Sequence, residues 1–145
     1  MAIDFIKAEH YVKAINIGKV LYYRDSIVTA YADYNNVVNT LADNNLIISE
    51  YTTKLNNDKA HAITQEQIDA IDVILADNNL LLSEGTSYYT DQQSMLLGNM
   101  SNFKQTMMEL RDQAAVATDY PYTVEELNEY TILIDEVTAL TVGVA

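Results

Sequence analysis

Two histidines, His10 and His61, and 21 carboxylates are the side chains of this chain best suited to ligating a metal or moving a proton near neutral pH. With no cysteine among the 145 residues, disulfides, thiol nucleophiles and thiolate metal sites are all excluded. Asp58-Lys59-Ala60-His61 has ligand-like spacing, but it stands alone in a polar stretch with no second ligand set nearby. A two-metal carboxylate bundle needs Glu-x-x-His motifs on facing helices, because two helices must each present an acid and an imidazole on one face. None occurs. Asp43-Asn44-Asn45 and Asp77-Asn78-Asn79 lack the alternate spacing, the glycine and the closing Glu of a calcium loop. There is no Gly-rich phosphate loop, no nucleophile elbow and no Ser, His, Asp grouping. The sequence therefore assigns no catalytic, cofactor-binding or metal residue, and an enzyme is not expected.

Charge narrows the partners. The formal net charge is −13, with 21 acids against 8 Lys and Arg. An acidic body repels phosphate backbones and anionic lipid, so direct binding to nucleic acid or a membrane is not expected. The acids are scattered, with one denser group at Glu125, Glu126, Glu129, Asp135 and Glu136. Such a coat keeps a protein soluble; it would equally serve an acidic mimic of nucleic acid that docks on a basic partner. No run approaches the ~20 apolar residues of a membrane span. The start, Met1-Ala2-Ile3-Asp4-Phe5, lacks the charge and apolar stretch of a leader.

The elements that must position these residues are announced by a repeat. Leu41-Ala42-Asp43-Asn44-Asn45-Leu46-Ile47-Ile48-Ser49-Glu50 recurs as Leu75-Ala76-Asp77-Asn78-Asn79-Leu80-Leu81-Leu82-Ser83-Glu84, with only Ile/Leu exchanges between them. Around it, Val20, Ile27, Tyr34, Leu41, Ile48 and Leu55 recur every seven residues. Tyr23, Ala30, Val37, Asn44 and Tyr51 follow three residues behind each. Alternation of three and four is the period of a helix packed along a seam. A second series runs Ile68, Leu75, Leu82, Tyr89, Leu96, Phe103, Leu110, Ala117. Tyr31, Val38, Leu46 and Ile47 broaden the apolar face beyond a two-stranded seam, which argues for three or more helices.

Four Gly and one Pro leave few interruptions. Thr64 with Gln67, and Thr123 with Glu126, have the spacing of capping boxes that open helices. Pro121 ends one helix before it. Gly18 weakens a join, and Gly85 either kinks a continuous helix or separates two, with Thr90 and Gln93 capping a restart. The expected architecture is all-α, a long-helix bundle or coiled-coil-like helical hairpin with a duplicated segment. It forms a single domain, 1–145, with helices at about 4–17, 20–56, 64–84, 91–118 and 124–140, then a short extended tail from Thr141 to Ala145.

Leu41, Asn44, Ile48, Leu75, Asn78 and Leu82 are the candidate self-association residues. Asn44 and Asn78 would set register as polar seam layers, or Asp43-Asn44-Asn45 is a helix break. Eleven Tyr against two Phe favour contacts that are buried at the ring and wet at the hydroxyl. In the pairs Tyr22-Tyr23 and Tyr88-Tyr89 one ring of each must face outward, which makes them candidate partner contacts. In composition the chain resembles small structural proteins of tailed bacteriophage virions: Asn-, Tyr- and Thr-rich, acidic, helical, without Cys, and carrying the short duplication Leu41–Glu50 and Leu75–Glu84. The resemblance implies a non-enzymatic assembly protein of the head, neck, tail or fibre. Its partners would be further copies of itself and other structural proteins, and its location the virion, or the cytoplasm if it is not viral. The competing readings are an acidic binding module that inhibits a basic partner and, third, a metal carrier or enzyme in a helical bundle.

Overall fold

A computed structural model describes residues 5–144. Three helices follow in order: α1, Phe5–Ala60; α2, Gln65–Ala115; and α3, Val124–Leu140. No strand occurs among the described residues, so the fold is all-α. The helices expected at 4–17 and 20–56 are one, and those at 64–84 and 91–118 are one; the start at residue 4 lies outside the described residues. Helix passes through Gly18 and Gly85 because an isolated glycine costs only about 1 kcal/mol relative to Ala, less than the flanking apolar packing returns. Thr90 and Gln93 accordingly cap nothing.

Asn56-Asn57-Asp58-Lys59 is also helical, to Ala60. The Lys59 amine meets Asp72 across the turn at 2.6 Å. Thr64 does open α2: its hydroxyl accepts from the Gln67 backbone N–H, and the Gln67 side chain accepts from the backbone N–H groups of Ile63 and Thr64. α2 ends at Ala115, ahead of the expected 118. Residues 141–144 turn rather than extend. Thr141 gives both its N–H and its hydroxyl to the Val137 carbonyl, and Gly143 takes φ +86°.

The residues gather into two compact units, the described parts of Met1–Asp33 with Met95–Ala145, and Tyr34–Ser94. The first is a three-helix bundle. Its α1 segment buries Val20, Ile27 and Ala30; α2 buries Leu96, Met100, Met107 and Ala114; α3 buries Tyr130, Ile134, Val137 and Thr141. Steps of three, four and seven put each set on one helical stripe. α3 runs parallel to α1, since Lys13 pairs with Glu126 and Arg24 with Glu136. The second unit is an antiparallel hairpin of α1 and α2 in which no side chain is fully buried. Leu41, Ile48, Leu55 and Leu75 are only half-covered. Two helices can shield one stripe of each other and no more.

Candidate interaction surface

The capping box Thr123–Glu126 anchors the polar cluster of the three-helix unit. Glu126 accepts from the Thr123 backbone N–H at 3.0 Å and from the Lys13 amine at 3.0 Å. Those two bonds, the Thr123 bond foremost, hold its carboxyl below the usual range. Lys13 also meets Glu9 at 2.8 Å and the Pro121 carbonyl at 2.8 Å, and it lies over the Tyr122 ring. Glu9 first, then Glu126, raises its pKa. The Asn16 amide donates to the Tyr122 hydroxyl at 2.9 Å. The Tyr130 hydroxyl is buried without a hydrogen bond of good geometry, and burial chiefly, then Tyr122, pushes its pKa up. Lys13, Tyr122, Glu126 and Tyr130, with His10 and Glu129, line a hollow of about 290 Å³. Lys13 of α1 bonds both Glu126 of α3 and the Pro121 carbonyl ahead of it, so the cluster clamps α3 onto α1.

His61 belongs to the hairpin unit, where its Nδ1 lies 2.8 Å from the Asn57 carbonyl. Among the described residues no three His, Asp or Glu side chains converge as a metal set. No helix among them is long and apolar enough to cross a membrane.

The larger concavity, about 460 Å³, belongs to the hairpin. Leu41, Asn44, Ile47 and Ile48 of α1 form one wall; Leu81, Gly85 and Tyr88 of α2 form the other. Nothing lies within 4 Å of where a Gly85 side chain would begin, so the missing side chain opens the cleft. The expected self-association residues divide here. Leu41, Ile48, Leu75 and Asn78 are half-buried between the helices, and Leu82 stands at the edge, 36% exposed. Asn44 is exposed, and the half-buried position passes to Asn45. A straight helix at 3.6 residues per turn drifts about 20° per heptad from a 3.5 repeat, which rotates Asn44 off the α1–α2 contact. Asp43-Asn44-Asn45 breaks nothing; it is helical throughout.

Each tyrosine pair points one ring outward, as its adjacency demands. Tyr22 and Tyr88 are exposed, while Tyr23 and Tyr89 are half-buried. Tyr23 packs on Phe103 at 5.8 Å, edge-on to Tyr22 at 5.4 Å; Tyr88 and Tyr89 meet edge-on at 5.1 Å. Seam counting passed over Leu81, Asn45 and Gly85. For Leu81 the signal was the apolar triplets Leu46-Ile47-Ile48 and Leu80-Leu81-Leu82, since three consecutive residues cover more of a helix than one neighbour can shield. Comparison with known protein families, curated proteins and solved structures finds no match.

Proposed function

We propose that this chain is a non-enzymatic structural subunit that completes its core by associating with other copies of itself within a larger assembly. One observation carries the reading. Every buried residue among those described lies in the three-helix unit, while Tyr34–Ser94 leaves Leu46, Ile47, Tyr51, Ile74, Leu80, Leu81 and Tyr88 between 46% and 59% exposed. A hairpin with that much uncovered apolar surface gains stability from a further layer of helix. The compositional likeness to phage structural proteins makes a virion the setting we propose. Light scattering after size-exclusion chromatography tests association: a particle of several chains is expected, and a monomer at all concentrations overturns it. Mass spectrometry of assemblies from the natural source tests the setting by copy number.

A second reading follows from the charge of −13. The chain would then be an acidic module docked on a basic protein, with binding that collapses between low and high salt as screening removes the attraction. Association through an apolar face is far less sensitive to salt, so one titration separates the two.

A further inference from the structure

Resting on the second reading above, that the chain docks on a basic protein, we propose that the groove between α1 and α3 receives a basic, amphipathic helix of that partner. The groove lies wholly in the three-helix unit. Its two rails differ in chemistry, and together they specify the occupant.

The α3 rail is acidic. Glu125, Glu129, Ile132 and Glu136 follow at steps of four, three and four, which sets them in one row along the helix. α3 carries five carboxylates and no Lys, Arg or His. The fold neutralises two of them from α1, Glu126 with Lys13 and Glu136 with Arg24. Glu125 and Glu129 stand exposed and meet no cation among the described residues. Glu125, in the first turn, also suits the helix dipole; Glu129 lies beyond that turn and serves neither cap nor ion pair.

The α1 rail is apolar. Ala14, Ile17, Leu21 and Val28 fall at steps of three, four and seven on one side of α1. Ile17 and Leu21 line a trough of about 260 Å³ with Glu129, Ile132 and Leu133 of α3. Its apolar walls are open: Ile132 is 57% exposed and Leu21 36%, with Val28 beyond them at 42%.

The rails run side by side. Lys13–Glu126 and Arg24–Glu136 tie α1 to α3 at two levels, one on each side of the trough. Ile17 and Glu129 line both this trough and the hollow at Lys13 and Tyr122, so the groove continues past them. From Ala14 to Val28 it follows roughly 21 Å of α1, about four turns of helix.

A helix laid in this groove must turn an apolar stripe to α1 and Lys or Arg to Glu125 and Glu129. Unpaired carboxylates along one rail repel nucleic acid and anionic lipid. A second copy of the chain does not fit either. Of its eight Lys and Arg no two stand three or four residues apart, so none of its helices presents cations on consecutive turns of one face. Charge complementarity therefore selects a different, basic protein.

Two labelled synthetic peptides of about 18 residues, roughly 27 Å as helix, test this on the full chain. Both have the same Leu and Lys content; one gathers them into an apolar and a basic face, and the other scrambles them. Fluorescence anisotropy at low salt should show the faced peptide bound at least about tenfold more tightly, since it alone covers Ile132 while pairing with Glu129. Glu129→Lys should weaken that binding at least about tenfold. Glu84→Lys makes the same charge change on an exposed residue of the hairpin and should weaken it less than about threefold. Ile132→Ser, at an exposed side chain, should weaken the faced peptide about fivefold and leave the scrambled one unchanged. Circular dichroism verifies helix in each variant, and Ile132→Ser decides if Glu129→Lys unfolds. Equal binding of the two peptides, or equal weakening by Glu129→Lys and Glu84→Lys, overturns the groove and leaves a basic partner standing. No binding of either peptide overturns both.

Discussion

Tyr130 and Glu126 sit within one turn of each other on α3 and depend on opposite physics. The Tyr130 ring is 1% exposed, yet its hydroxyl makes no good hydrogen bond. Leaving a buried polar atom unbonded costs about 1–3 kcal/mol, so Tyr130→Phe should leave stability unchanged or raise it by about 1 kcal/mol in urea unfolding. A loss above 2 kcal/mol would mean the hydroxyl is bonded after all. Glu126 is stabilised as the anion, by the Thr123 backbone N–H and then by Lys13. Its folded pKa lies below its unfolded one, so its contribution is fully present above the unfolded value near 4.5 and disappears as pH falls through the lowered folded value. Glu126→Gln keeps the capping geometry but not the charge. The variant should lose less stability than the parent between pH 5 and pH 3, read from unfolding midpoints at each pH; identical acid limbs would contradict the assignment.

At the scale of elements, the hairpin teaches what spacing can and cannot locate. The seven-residue series placed helix at Leu41, Ile48 and Leu75, and the caps Thr64 and Thr123 placed two helix starts, because both signals are local. Gly18, Gly85 and Asn56–Lys59 read as breaks yet are helical, because whether a weak residue stops a helix is decided by packing on either side. Asn44 read as a seam residue through strict heptad arithmetic, which a straight helix does not obey over two repeats. That Asn45 and Gly85 line one cleft was invisible, since it depends on which residues of α1 and α2 come level. The cleft makes a prediction. Asn45→Leu, half-buried beside open space, should stabilise the hairpin by about 1 kcal/mol. Asn44→Leu, exposed, should stay within about 0.5 kcal/mol. Urea midpoints in the reverse order would return Asn44 to the contact between the helices.

For the molecule as a whole, burial predicts where it opens. Local unfolding is easiest where few apolar contacts are covered, so amides of Tyr34–Ser94 should exchange with solvent faster than those of the three-helix unit. If the hairpin is covered in an assembly, its protection should rise with protein concentration while that of Leu96–Ala114 holds constant. Hydrogen exchange read by mass spectrometry at two concentrations checks both, and uniform protection in dilute solution would sink the contrast. The helical glycines bear on the same balance. Around Gly18 and Gly98, as around Gly85, a methyl group would touch nothing, so neither glycine is there to let another chain segment come close. Each leaves its helix about 1 kcal/mol weaker than alanine would. Gly18→Ala with Gly98→Ala should then raise the melting midpoint by about 2 kcal/mol of stability, noticeable against the 5–15 kcal/mol typical of folded proteins. The rods of this protein are thus strung looser than their sequence need make them, and two carbon atoms would draw them tight.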